Sequence, residues 1–164
     1  MKDFCLVRHA KSSWKYPKLD DFERPLNKRG RKNAPFMGKI VHQLGFTPDL
    51  IISSPASRAA MTARFFAFEV NYPLENIQYL APIYEADEID LMQILEGLDD
   101  NLEKVMLVGH NPTLTHIANN ISNYPISNIP TSGVFCIAFN ITSWSGIKKG
   151  PGKMKYFEFP KKYR

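Results

Sequence analysis

Short apolar runs alternate along this chain with longer stretches in which apolar residues return every three or four positions. Phe4 to Val7 is the first run, and Asn27 to Leu44 follows with Ala34, Met37, Ile40, Val41 and Leu44 at helical spacing. Leu50 to Ile52 reads as a second strand, closed by Ser53-Ser54-Pro55, and Ala56 to Phe66 as a helix. Tyr79 to Ile83 reads as extended and broken by proline, and Asp87 to Leu98 as a helix that repeats Ile89, Met92, Ile94 and Leu95. Val105 to Val108 is a buried-strand pattern and Thr113 to Ile121 a helix, with Val134 to Phe139 and Tyr156 to Phe159 as final strands. Pro35 conflicts with an unbroken helix from Asn27, so that helix either kinks there or begins near Asn33. Ser143 to Lys153, rich in Gly, Lys and Ser, reads as a hairpin loop. The alternation predicts an α/β three-layer sandwich, a mainly parallel central sheet flanked by helices. With no repeat, low-complexity tract or boundary signal, one domain is expected over residues 1–164.

Composition narrows the picture. A chain of 164 residues with 44% hydrophobic and 23% charged residues can bury a full core without staples. Cys5 and Cys136 each sit in an apolar run, which suggests two reduced core thiols in place of a disulfide or metal framework. The apolar stretch before Arg8 is too short for a signal-peptide core, and no run approaches membrane-spanning length. A soluble, cytoplasmic protein with no membrane contact is expected. Net charge is +5 but unevenly placed: Lys148 to Arg164 holds seven Lys or Arg against Glu158, while Glu85 to Glu103 holds eight acids and no base. Neither an aromatic-interleaved RNA signature nor a recognition-helix pattern accompanies the bases, so no nucleic-acid partner is expected. The basic end reads first as a solvated tail and second as an attraction for phosphorylated, acidic partners.

Open parallel sheets bind ligands at the carboxyl ends of their strands, and here three runs end on polar chemistry. Phe4 to Val7 delivers Arg8-His9, Leu50 to Ile52 delivers Ser53-Ser54-Pro55 with Arg58 one helical turn on, and Met106 to Val108 delivers Gly109-His110-Asn111-Pro112. Each ending alone is ordinary. Two histidines and two arginines at one sheet edge are what phosphoryl transfer without a metal requires. Charge in that transition state spreads over three equatorial oxygens, which the planar, permanently charged forks of Arg8 and Arg58 suit. A neutral His9 can attack phosphorus and divide one hard displacement into two easier ones, if it is held in one tautomer. His110, protonated beside the phosphate, would add a charged hydrogen bond, and the helix opening after Asn111-Pro112 a partial positive end.

At this point the sequence resembles the histidine phosphatase superfamily, which is phosphoglycerate mutase-like in fold, and within it the short SixA-like phosphohistidine phosphatases. Four blocks carry the resemblance: Leu6 to Trp14, Asp21 to Gly30, Ser53 to Ala63 and Val108 to Pro112. It implies His9 as nucleophile, Arg8 and Arg58 as phosphate ligands and His110 as the second histidine. It also suggests that Ser12 touches the phosphate through its hydroxyl and that Arg24 lies at the rim of the pocket, with Asn111 a further substrate contact. Two departures stand out. The family's commonest motif has glycine after the histidine, where this chain has Ala10. Larger members place a carboxylic proton donor after the third strand; here Glu85, Asp87 and Glu88 are the candidates, with Glu85 favoured and Asp87 open to a helix-capping role.

The resemblance implies no cofactor and no metal, with phosphate or sulfate fitting the pocket and a monomer as the working unit. Phosphohistidine in a partner protein is the first substrate, because the chain has little to spare for a lid between its motifs. A small phosphate ester is the alternative, and a non-catalytic phosphate-binding module the reading from another class.

Overall fold

The computed structural model describes residues 1–163. Six strands form one sheet: β1 (Lys2–Arg8), β2 (Leu50–Ser53), β3 (Gln78–Tyr79), β4 (Lys104–Gly109), β5 (Val134–Phe139) and β6 (Lys153–Glu158). Their order across the sheet is β3-β2-β4-β1-β5-β6. The pairs β1/β4, β2/β4 and β2/β3 are parallel; β1/β5 and β5/β6 are antiparallel. The sheet is mainly parallel, as expected from the sequence: β5 alone runs against the other five strands, and the part that carries the candidate residues is parallel throughout. The helices are α1 (Lys28–Gln43), α2 (Ser57–Glu69), α3 (Pro82–Glu85), α4 (Glu88–Glu96) and α5 (Thr113–Ile121).

Side chains of a strand alternate between faces, and both faces of this sheet are covered. Phe4 and Leu6 of β1 pack with Leu91 and Leu95 of α4 and Leu114 and Ile117 of α5. Cys5 and Val7 point the other way, into Ala34, Met37 and Val41 of α1 and Ala59, Ala63 and Phe66 of α2. The same alternation runs through β2, β4 and β5, so α1 and α2 form one outer layer and α4 and α5 the other. Cys5 and Cys136 are register partners across β1 and β5, both buried as free thiols.

Three expectations need correction. Helix α1 runs from Lys28 through Pro35 without a late start. Its beginning is fixed by Asn27, whose side chain accepts the Gly30 N–H at 2.8 Å, and the buried stripe of Ala34, Met37, Ile40 and Val41 outweighs the one backbone bond that proline removes. Tyr79 to Ile83 is not extended: β3 stops at Tyr79, and Pro82 opens the short helix α3. The stretch from Ser143 to Lys153 does join the antiparallel pair β5/β6 as a hairpin connection, and its 3-10 turn, Trp144–Gly146, sets Trp144 fully in the core, where its Nε1–H donates to the Leu102 carbonyl at 2.9 Å. Nor is the basic end simply a solvated tail, since β6 pairs with β5 and Lys155 meets Asp3 at 2.9 Å. Arg164, its last residue, lies outside the described residues.

Gly30 is where α1 touches the segment leaving β1. A Cβ built there would collide with the Lys11 carbonyl oxygen, which already accepts the Asn27 N–H at 2.9 Å. Gly30→Ala is expected to lower stability by about 1–3 kcal/mol, as overpacking does. Urea unfolding checks this; a midpoint equal to that of the wild type would contradict the contact.

Candidate active site

The carboxyl ends of β1, β2 and β4 converge because the parallel ladder continues one residue past each strand. The His9 N–H donates to the Gly109 carbonyl at 3.1 Å and the Ser54 N–H to the Val108 carbonyl at 3.0 Å. These two bonds bring Arg8-His9, Ser53-Ser54 and Gly109-His110 to one edge, with Arg58 arriving from the first turn of α2. The His9 and His110 rings stand 5.2 Å apart between centroids.

His9 is 9% exposed, and its Nδ1 lies 2.8 Å from the Ala10 carbonyl oxygen. A carbonyl can only accept, so Nδ1 carries the ring proton and Nε2 is left with a free lone pair. Burial holds the His9 pKa down to about 3; the Ala10 carbonyl opposes this, and His110, Arg58 and Arg8 reinforce it. The ring is therefore neutral at pH 7. Ala10 is itself buried, its methyl in the α1/α2 side of the core and its N–H donating to Thr62 Oγ1 at 2.9 Å. The hydroxyl of Thr62 donates in turn to the Arg58 carbonyl at 2.7 Å, which ties the loop after β1 to α2. The departure from glycine at this position is thus absorbed by packing.

Arg8 and Arg58, whose charges both act on this ring, differ in what holds them. Arg8 donates from Nη1 to the Ile129 carbonyl at 3.0 Å, and its buried Nε has no acceptor among the described residues. Arg58, 7% exposed, donates to the Asp21 carbonyl at 2.7 Å and to Asp21 Oδ2 at 3.0 Å. Asp21 also receives the Tyr84 hydroxyl at 2.6 Å and stands 3.5 Å from Arg24. Tyr84's hydrogen bond, then Arg58, holds the Asp21 carboxyl below its usual value despite opposing burial. Neither Asp21 nor Tyr84 was among the sequence candidates. Asp21 lay inside a matching block but had no strand-end position to mark it.

His110 meets Ser54, whose Oγ is 2.8 Å from the ring Nε2 and accepts the Ala56 N–H at 3.2 Å. Burial first and Arg58 next push the His110 pKa down to about 4, with Asp21 working against them. The expectation of a protonated second histidine therefore does not describe the pocket on its own; a phosphoryl dianion beside the ring acts in the same direction as Asp21. The ring also packs edge-on against Tyr84, at 5.5 Å.

The remaining candidates fall into two groups. Glu85 and His110 line one cavity of about 220 Å³ with Tyr84, Ala86 and Thr113. Asp87 instead caps α4, accepting the Asp90 N–H at 2.8 Å. Arg24 is only 8% exposed, stacks on Trp14 with its guanidinium 3.5 Å from the ring centroid, and donates to Ser12 Oγ, so it lies deeper than a rim residue. Asn111 spends its amide on the fold: Nδ2 donates to Asn128 Oδ1 at 2.8 Å and to the Ile129 carbonyl at 3.0 Å, and Oδ1 accepts from Thr115. These bonds tether the start of α5 to the stretch before β5. No described group of three His, Cys, Asp or Glu side chains is arranged to hold a metal ion, and no described helix is long and apolar enough to cross a membrane.

Comparisons with known proteins bear on the family and the fold. Residues 4–86 match the family described as histidine phosphatase superfamily (branch 1). An uncharacterized chloroplastic protein of Arabidopsis thaliana is 31% identical over 161 residues, which is 92% of this chain and 73% of the relative. A candidate phosphohistidine phosphatase SixA of Agrobacterium tumefaciens superposes with a TM-score of 0.82 at 26% identity, over 97% of this chain and 98% of its own. A protein histidine phosphatase SixA solved with tungstate gives 0.84 over 99% of both chains; at 16% identity it speaks for the fold alone.

Because His9 and His110 are held neutral, they tie folding to pH. Between the folded values of about 3 and about 4 and the ordinary value of 6.5, the unfolded chain binds more protons than the folded one. Stability therefore rises with pH through that window and falls as pH drops from 6.5. Moving from pH 7 to pH 5 should cost roughly 1–2 kcal/mol for each of the two rings. Urea midpoints at both pH values check it: His110→Gln should lose visibly less than the wild type, and an equal loss would contradict the burial argument.

Proposed function

Since this chain belongs to the histidine phosphatase superfamily and is a phosphatase, we propose that it removes phosphate from phosphohistidine in a partner protein, through a phosphoryl group held transiently on His9 and without a metal ion. The observation that carries the reading is the Ala10 carbonyl at 2.8 Å from His9 Nδ1, which leaves Nε2 as an unprotonated nucleophile in a pocket with two guanidiniums.

In the first step His9 Nε2 forms a bond to phosphorus as the substrate's P–N bond breaks, and the departing imidazole takes a proton from solvent. In the second, water attacks the phosphorus on His9, giving inorganic phosphate and restoring the neutral ring. Arg8 and Arg58 stabilise the equatorial oxygens in both, and the unpartnered Nε of Arg8 suits an anionic acceptor. Asp21 holds the Arg58 fork in place while leaving it further N–H groups. Arg24 and Ser12, joined to each other, support the loop beside His9 and offer a hydroxyl to the phosphate. Ser54 fixes the ring of His110, whose other nitrogen serves the phosphoryl group. The substrate class rests on the likeness to the SixA phosphohistidine phosphatases and on the leaving group: imidazole departs without strong acid assistance, because its conjugate acid has a pKa near ~6.5.

His9→Ala is expected to abolish turnover and the phosphoenzyme, whose label in the wild type should be acid-labile and base-stable. EDTA should change nothing. Normal rates in His9→Ala, or loss with EDTA and recovery with magnesium or zinc, would overturn the mechanism.

Ser54→Ala should lower kcat on para-nitrophenyl phosphate by about tenfold with little change in KM, and Ser54→Thr should recover most of it. Wild-type kcat in the alanine variant would show that His110 needs no such support.

Glu85→Gln separates the substrate classes. Expelling an alkoxide needs a proton in the transition state, so kcat/KM on alkyl phosphates should drop about tenfold or more, against only a few-fold on phosphohistidine. A large, equal loss on both would defeat the phosphohistidine assignment.

A further inference from the structure

Away from the strand-end edge, a groove runs between the start of α1 and the last turn, Pro160–Tyr163. It encloses about 780 Å³ and is lined by Lys28, Arg29, Lys32, Phe36, Pro160 and Tyr163, with Asn27 at one end. That size falls within the roughly 300–1,000 Å³ of ordinary binding clefts. Phe36 is 39% exposed and Tyr163 44%, although their rings meet edge to face at 5.7 Å and form one apolar notch. The three cations around the notch take part in no ion pair among the described residues. Glu158, the acid on the adjoining strand, is engaged by Lys162 at 3.3 Å and by the Tyr163 hydroxyl at 2.6 Å. Nor does the first turn of α1 hold an acid to offset its lysines and arginines.

We propose that this groove docks an acidic segment of the phosphoprotein substrate, one that sets an apolar side chain in the Phe36/Tyr163 notch and carboxylates against Lys28, Arg29 and Lys32. The inference rests on the protein-substrate reading above and adds to it the chemistry of the partner. Two observations connect the groove to the catalytic pocket. Asn27 lines it and donates its N–H to the Lys11 carbonyl, two residues past His9, at 2.9 Å. Ser12 and Leu26 form an antiparallel bridge in the same place. A chain whose phosphohistidine sits at His9 can therefore leave along Lys11 and reach the groove directly. A nucleic acid fits less well, since it needs open ring faces for stacking, and here the two rings are turned against each other.

The test uses the full chain and a fluorescently labelled, unphosphorylated peptide with Glu and Asp on both sides of one Leu. Anisotropy should show binding that weakens with salt and falls by about tenfold or more in K28E/R29E/K32E. Phe36→Ala should weaken binding several-fold without changing the salt dependence, because it removes only the apolar contact. Both variants should turn over para-nitrophenyl phosphate at the wild-type rate. On phosphohistidine peptides, acidic flanks should raise kcat/KM about tenfold over neutral ones in the wild type and not in the charge-reversed variant. Equal binding of a neutral peptide, tighter binding of single-stranded RNA of equal charge, or self-association that vanishes in K28E/R29E/K32E would overturn the proposal. If the acidic peptide binds as described but phosphohistidine peptides are not hydrolysed, the substrate reading fails and the groove stands. If they are hydrolysed with no preference for acidic flanks, the groove assignment fails and the substrate reading stands.

Discussion

The arrangement at the candidate catalytic edge depends on one hydrogen bond, from His9 Nδ1–H to the carbonyl of the next residue. A buried imidazole among guanidiniums is neutral by electrostatics alone, but neutrality leaves open which nitrogen keeps the proton. The Ala10 carbonyl settles it. That carbonyl is aimed by its own peptide's neighbours: Ala10 N–H is held by Thr62, Thr62 by the Arg58 backbone, and Lys11 by the start of α1 through Asn27. The apparently remote packing of α1 and α2 under β1 is what fixes the tautomer at the strand end.

The second constraint is positive charge. Arg8 and Arg58 lie near the two histidines, and Asp21 is a carboxylate that meets both Arg58 and Arg24. Tyr84 donates to the same carboxylate and packs its ring against His110, so the segment after β1 and the helix after β3 are joined over the pocket through one side chain. An anionic phosphoryl group and Asp21 act on these arginines with the same sign. On the proposed reading, the same balance would leave the arginines free to receive a phosphate.

Much of this could be read from the chain before any coordinates. The strand-end positions of His9, Ser54 and His110 followed from apolar runs of four or so residues, because a parallel sheet covered on both faces leaves no polar positions within its strands. What escaped was set by contacts distant in sequence. Trp144 looked like loop because its neighbours are Ser and Gly, yet a deep hole beside Phe4 receives it. Asp21 sits in a stretch without periodicity, and only the fold brings it to Arg58, 37 positions away. Asn111 also bonds residues 115, 128 and 129, contacts that its position next to His110 could not reveal. Pro35 misled because a local penalty was weighed without the buried stripe that offsets it.

Nitrogen-15 NMR of the histidine rings tests the tautomer most directly. Across a titration from pH 8 to pH 4, His9 should remain neutral, protonated at Nδ1 and with the shift of an unprotonated nitrogen at Nε2, consistent with a pKa held near 3. A ring that carries its proton on Nε2 would contradict the account, because that nitrogen would then have no lone pair free to attack phosphorus, and a ring that titrates near the ordinary value of about 6.5 would contradict the burial that holds it neutral.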